Sequence, residues 1–271
     1  MLRFFIIGLA ACLLAAPARA EAPFVVGVLP YQGVRALVAE YNQLVSALRA
    51  TLKRPVKLVT AKDVTLFGQR MLSGDYDLAI APAHLARLVQ VERGWQPLIR
   101  ITPDNVMLLL DVRPEGAAPR PLKGATIATP GHTRFTTIAL QRWLAEDMHL
   151  AETDYQLLDT GSHLAALQAM LDGRADFVVE TLATLAQART GSLDAVRIAH
   201  EIGTIPHLIY IVKPGLPEPD LTRLRRSLLA FPLRPPVRAV AADEHTLSAM
   251  DRYLAATRQL LVPSESLSHA Q

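Results

Sequence analysis

The sequence predicts an α/β protein of two lobes, each a βαβ sheet, joined by a two-strand hinge. An internal repeat leads there. Met71-Leu72-Ser73-Gly74-Asp75-Tyr76-Asp77-Leu78-Ala79-Ile80 aligns without a gap on Met170-Leu171-Asp172-Gly173-Arg174-Ala175-Asp176-Phe177-Val178-Val179. Each reads as a helix end, a glycine stop, an aspartate and a short apolar strand. The same offset pairs residues 56–60 with 155–159 and residues 26–30 with 125–129. Strands that alternate with helices build a parallel sheet covered on both faces, and ligands of such sheets sit beyond the carboxyl ends of the strands. Two such sheets in one chain put a cleft between them.

The first strand is expected at residues 24–29, an apolar run stopped by Pro30. From Val34 the apolar positions Leu37, Val38, Tyr41, Leu44, Val45, Leu48 and Leu52 recur at helical spacing, which predicts an amphipathic helix over residues 34–52. Strands at 56–59 and 78–80 flank a helix at 65–72, which Gly74 ends. A helix at 83–92, a strand at 96–101 and an apolar strand at 106–112 complete the first segment. Pro114, Gly116, Pro119 and Pro121 then read as a boundary loop. The second lobe repeats the pattern, with strands at 126–128, 155–158 and 177–179 and helices at 135–148 and 164–171. Residues 204–212 are expected to cross back, and helices at 220–230 and 243–260 to pack on the first lobe. The expected organisation is an export leader at 1–20, lobe I from 21 to 112, lobe II from 113 to 205, and the return hinge with its helices from 206 to 271. Two crossings make the hinge geometry in which a cleft closes around a ligand.

The leader has a cationic start at Arg3, an apolar run from Phe4 to Ala16 and a small-x-small site at Ala18-Arg19-Ala20. That predicts export to the periplasm with Glu21 as the first mature residue. Cys12 within Leu9-Ala10-Ala11-Cys12 offers a lipoprotein alternative, which leaves a short apolar core and puts Leu13-Leu14 where a polar tether belongs. Cys12 is the single cysteine, so the mature chain has no disulfide, thiolate metal site or cysteine nucleophile. The chain has 28 Lys and Arg against 25 Asp and Glu. Losing Arg3 and Arg19 with the leader brings it closer to neutrality, which gives no electrostatic case for nucleic acid or an anionic membrane.

The repeat identifies the loops that face the cleft. In lobe I they are residues 30–32, 60–63 and 81–84; in lobe II, 129–133, 159–163 and 180–181. The loop through Gly131, His132 and Thr133 leads into a helix with Thr136 in its first turn. There free N–H groups, hydroxyls and the positive end of the helix dipole offer an oxyanion site. Thr133 reads equally as a helix cap, and Ser162 as the cap of the next helix. Tyr31 follows the first strand, where its phenol either meets a ligand or packs on the neighbouring helix. Pro82 and His84 form the opposing loop. Glu180 takes the place of Ala81 in the repeat, so its carboxylate is expected in or beside the cleft, either on a ligand amine or in an ion pair with a local Arg or Lys. Asp77 and Asp176 precede their strands and read as structural turn residues. His84, His132, His163 and His207 all fall near the cleft, but without a compact ligand motif the expectation is no metal and no cofactor. Nor is there a Gly-x-Ser-x-Gly, phosphate-loop or dinucleotide fingerprint, so catalysis is not expected.

The order of Val26-Gly27-Val28-Leu29-Pro30, Val56-Lys57-Leu58-Val59-Thr60-Ala61-Lys62-Asp63, Gly74-Asp75-Tyr76-Asp77-Leu78-Ala79 and Leu122-Lys123-Gly124-Ala125-Thr126-Ile127-Ala128 resembles the phosphate, phosphite and phosphonate-binding periplasmic proteins of ABC transporters, which have the type 2 periplasmic-binding fold. The resemblance spans about residues 24–226. It implies a monomeric, non-enzymatic receptor that captures a small anionic or zwitterionic ligand and delivers it to an inner-membrane permease. It departs from the family at Val64, at Ala81-Pro82-Ala83-His84-Leu85 and at Pro130-Gly131-His132-Thr133, where the family commonly has an aromatic, a Gly-Pro turn with a Tyr, and a Ser/Thr-rich loop. In relatives that bind aminoalkylphosphonates acidic residues hold the amine, which makes Glu180 the candidate here. Three other readings stand beside it: a receptor domain that signals to a membrane partner, a metal or metal-chelate binder that uses the cleft histidines, and a catalytic descendant of the same fold that turns its ligand over.

Overall fold

The computed structural model describes residues 22–187 and 193–261. The expected leader with Cys12 lies outside the described residues. The chain opens with β1 (Phe24–Val28), α1 (Val34–Leu52), β2 (Val56–Val59), α2 (Val64–Ser73), β3 (Leu78–Ala81), α3 (Ala83–Arg93) and β4 (Gln96–Thr102). α1 turns Leu37, Tyr41, Leu44, Val45 and Leu48 into the protein, each fully buried apolar side chain contributing ~1.5–3 kcal/mol. α2 starts on Asp63, whose carboxylate accepts from the Leu66 N–H at 2.7 Å, and stops at Gly74, where φ is +76° and a side chain would be strained. At Gly27 in β1 a Cβ would lie 2.5 Å from the Tyr76 ring, so only glycine lets that ring pack against the strand.

β5 (Asn105–Val112), β6 (Thr126–Thr129), α4 (Phe135–Glu146), β7 (Gln156–Asp159), α5 (His163–Leu171), β8 (Phe177–Thr181), α6 (Leu182–Gln187) and β9 (Val196–Ile205) follow. The chain closes with β10 (Ile209–Val212), α7 (Glu218–Leu229), β11 (Arg238–Ala241), a 3-10 turn (Ser248–Tyr253) and α8 (Leu254–Leu261). Strands order as β11-β4-β10-β3-β1-β2 in one sheet and β7-β6-β8-β5-β9 in the other. In each, the repeated βαβ strands are parallel, β1 with β2 and β3, β6 with β7 and β8. The repeat extends to side chains. Asp77 accepts from the Val25 N–H at 2.8 Å and Asp176 from the Thr126 N–H at 2.9 Å. Each aspartate ties the turn before one strand to the start of its neighbour.

The structure corrects the placement of the lobe boundary. β5, expected to end lobe I, pairs with β8 and β9 and lies inside the second sheet. Its apolar run records burial on two faces, with Leu109 in one core and Leu108 and Leu110 in another, and burial does not say which sheet a strand joins. The chain therefore leaves the first sheet between Thr102 and Asn105 and returns between Ile205 and Ile209. β11 was not expected, and the last predicted helix begins as a 3-10 turn. α7 packs against α1, and α8 against α2 and α3.

Three cores result. One lies beneath α1 and α7 and contains Phe24, Leu48 and Leu224. Another lies beneath α5 and contains Leu167, Met170 and Val178. The largest joins Phe67, Met71, Leu88 and Trp95 of the first lobe to Phe135, Leu140 and Leu144 of the second, with Leu247 and Met250 of the closing segment.

Candidate functional site

The repeat aims the carboxyl ends of β1 and β3 at those of β6, β7 and β8, and the loops there meet. From lobe I, β3 runs through Pro82, the extended N-cap of α3, to His84. The His84 ring is 1% exposed and stacks on the Phe135 ring of lobe II, with centroids 4.8 Å apart at 20°. Phe135 in turn meets Tyr253 edge-on at 5.0 Å, and the guanidinium carbons of Arg142 and Arg252 lie 5.6 and 5.3 Å from the centre of that tyrosine ring. Burial pushes the His84 imidazole down from 6.5 to about 3, so it is neutral in this contact. Its Nδ1 has no hydrogen-bond partner among the described residues.

From lobe II, β6 ends at Thr129 and turns through Gly131 (φ +133°) into α4. The Gly131 carbonyl accepts from the Arg134 N–H at 3.0 Å and from the Thr137 hydroxyl at 2.8 Å. Arg134 is the N-cap residue of α4 with an extended backbone and no side-chain cap. Its Nη2 donates to the Pro30 carbonyl of lobe I at 3.4 Å, and burial lowers its pKa. A cation at a helix N-terminus opposes the macrodipole; an anion in the same place would offset that conflict. Thr136, in the first turn of α4, is 5% exposed and its hydroxyl has no partner among the described residues. Thr133 is half-buried.

Beside this loop stands a resident anion. Asp159, the last residue of β7, accepts from the His132 N–H at 3.1 Å and the Gly161 N–H at 2.9 Å, and lies 3.0 Å from His132 Nδ1. Burial works to raise its pKa, but the His132 and Gly161 bonds outweigh it and hold the carboxyl below the usual range. The His132 amide, expected to be free for an oxyanion, is thus already engaged, and the His132 side chain is 74% exposed.

Three further expectations take a definite form. Ser162 caps α5 by accepting from the Ala165 N–H at 3.2 Å. The Tyr31 hydroxyl lies 3.1 Å from that of Tyr41 on α1, and burial raises its pKa, so it takes the helix-packing alternative. Glu180 is 1% exposed and its partner is neither Arg nor Lys: Oε2 lies 2.7 Å from His163 Nδ1. Phe177 and Val179 face the large interlobe core while Val178 faces the α5 core, so strand alternation puts Glu180 on the α5 side. Burial raises its pKa, against the opposing effect of His163, and Oε1 has no partner among the described residues. The histidines do not converge: His84 meets Phe135, His132 meets Asp159, His163 meets Glu180, and His207 accepts from the Leu208 N–H at 2.7 Å. No three His, Cys, Asp or Glu side chains are placed to hold a metal ion among the described residues.

The site thus gathers His84, Arg134, Phe135 and Thr136 at the lobe junction, with Asp159 and Glu180 on the adjoining strand ends of lobe II. Sequence reading missed Arg134, Phe135 and the acceptor role of Asp159. The legible signal was Arg134 itself, a cation at a predicted helix start.

Two βαβ sheets joined by two crossings, with polar strand-end loops opposed, define a two-lobed solute-binding receptor with the type 2 periplasmic-binding fold. The family model of the ABC transporter phosphonate periplasmic substrate-binding proteins matches residues 26–255, and the chain belongs to that family. PhnD1 from Prochlorococcus marinus, solved with methylphosphonate, superposes with a TM-score of 0.72 at 11% identity over 86% of this chain and 99% of that one. A Xanthomonas citri protein solved with bound ATP gives 0.69 at 16% identity over 93% and 100%. A binding-protein component of an ABC phosphonate transporter from Pseudomonas aeruginosa gives 0.62 at 12% over 93% and 100%. At these identities the superpositions establish the fold. No curated protein matches the sequence.

Proposed function

We propose that the protein captures a small oxyanion of the phosphonate, phosphite or phosphate type between its lobes and presents it to the permease of an ABC importer. The observation that carries this reading is the junction at the start of α4. A guanidinium (Arg134) and a buried hydroxyl (Thr136) lie at a helix N-terminus on either side of Phe135, on whose ring the neutral His84 imidazole stacks, and neither the Thr136 hydroxyl nor His84 Nδ1 has a partner among the described residues. Buried polar groups without partners are uncommon in folded proteins, and an oxyanion would serve both as acceptor for the donors and as counter-charge for the arginine. Glu180 Oε1 would extend the site to a ligand amine. In this reading residues 1–20 direct export, the receptor acts as a monomer and the ligand leaves chemically unchanged. The P. marinus relative solved with methylphosphonate makes that compound the first to try. Calorimetric titration with methylphosphonate, phosphite, phosphate, 2-aminoethylphosphonate and methanesulfonate tests the reading. At least one should bind, and mass spectrometry should recover it unaltered. Silence across the panel would remove the oxyanion reading, and a changed product would replace the receptor by an enzyme.

A further inference from the structure

The charges around the site restrict the ligand further, on the premise that the oxyanion reading holds. Arg134 is a cation at the junction that no described carboxylate pairs with, and its guanidinium is partly buried against the Pro30 carbonyl. His84 has no counter-ion among the described residues, and its ring is enclosed against Phe135. Glu180 is engaged by His163, with Oε2 2.7 Å from Nδ1. Lys62, on the neighbouring loop of lobe I, lies 3.8 Å from Asp63, and both are exposed. The N-termini of α4 and α5 would each add about half a positive charge, but the Asp159 carboxylate sits between them and takes the His132 and Gly161 amides. A negative charge is therefore already in place where the two helix dipoles point. We infer that the receptor holds its oxyanion as a monoanion and rejects the dianion, with Asp159 as the residue that sets this limit. One incoming negative charge is balanced by Arg134. A second would face the Asp159 carboxylate in a partly desolvated cleft, and like charges in such a place repel strongly.

The ligand's own ionisation provides the test. Methylphosphonate passes from monoanion to dianion near neutrality, whereas methanesulfonate stays a monoanion throughout. Affinities of both are measured by calorimetry from pH 5.5 to 9 at fixed ionic strength, and their ratio is followed, because proton effects on the protein, His84 included, act on both ligands and cancel. The ratio of methylphosphonate to methanesulfonate association constants should fall, by about tenfold per pH unit once the second proton has left. In Asp159→Asn, whose amide oxygen can still accept from the loop N–H groups, the fall should flatten, with the unfolding midpoint measured alongside to confirm the fold. A ratio that is constant or rises with pH overturns the monoanion inference while leaving the oxyanion reading intact; if methanesulfonate does not bind, a methylphosphonate association constant that does not fall above its second ionisation does the same. An Asp159→Asn profile like the wild type overturns the assignment to Asp159. Absence of binding by any oxyanion at any pH defeats the underlying reading, and the inference with it.

Discussion

His84 makes the contact between the lobes sensitive to acid. Its ring is enclosed against Phe135 and its pKa is pushed from 6.5 to about 3 by burial. The unfolded chain, with an ordinary imidazole, therefore binds a proton between these two values and the folded protein does not. Stability is complete above pH 6.5 and is lost as pH falls through that window, at about 1.4 kcal/mol per unit once well below 6.5. One unit below, at pH 5.5, the cumulative loss from this group is about 1.4 kcal/mol. The perturbation is His84→Phe, which keeps an aromatic ring against Phe135 and removes the titration. Urea unfolding of both proteins at pH 7.5, 6.5 and 5.5 gives the comparison. His207, whose pKa burial also lowers, contributes equally to both, so the difference in pH dependence belongs to His84. The wild type should lose about 1–1.5 kcal/mol more than the variant between pH 7.5 and 5.5. Parallel losses would mean that His84 is not held neutral in the fold. The same linkage should weaken ligand binding in acid if the open protein exposes His84.

Other perturbations probe separate parts of the account. Arg134→Gln keeps a polar side chain but removes the charge, and should cost about 2–4 kcal/mol of oxyanion binding with little change in unfolding midpoint, as read by calorimetry and thermal melts. Gly27→Ala puts a Cβ 2.5 Å from the Tyr76 ring and should destabilise the first lobe by about 1–3 kcal/mol in urea unfolding; an unchanged midpoint would show that the ring moves freely. Ser162→Ala removes the bond to the Ala165 amide and should cost about 1 kcal/mol of stability, with ligand affinity unaltered if Ser162 only caps α5.

The parts of the fold that were legible in the sequence are those that repeat or have a local period. The apolar spacing from Leu37 to Leu52 located α1, and the Gly-x-x-Asp turn before each apolar strand located β3 and β8 together with the aspartates that bind the neighbouring strand. The strand-end loops followed from the same register. What stayed hidden depends on partners far apart in the chain. β5 reads as a buried strand in either lobe, and only its hydrogen bonds to β8 and β9 decide. β11, with Ala239 and Val240 between turns, is held by β4 more than by its own pattern. Within the site, Glu180 was placed at the right strand end. Its orientation toward α5 and its pairing with His163 depend on which face of β8 the even positions take. His132 looked like a free mouth residue because nothing local reveals that Asp159, on the next strand, takes both its amide and its ring. Arg134 is readable by a local rule, as a cation at a helix start, but the hydroxyls of Thr133 and Thr136 on either side of it give the stronger local signal for an anion loop.

The central claim is that an oxyanion rests between Arg134 and Thr136 at the start of α4 and His84 of the opposite lobe. The most direct measurement is a crystal structure of the protein grown with methylphosphonate at a pH where it is a monoanion. The account predicts density for the phosphonate within hydrogen-bonding distance of the Arg134 guanidinium and the Thr136 hydroxyl, with His84 Nδ1 or Nε2 directed at it from lobe I. Methylphosphonate bound elsewhere on the molecule, or these side chains unchanged and unliganded at saturating concentration, would contradict it.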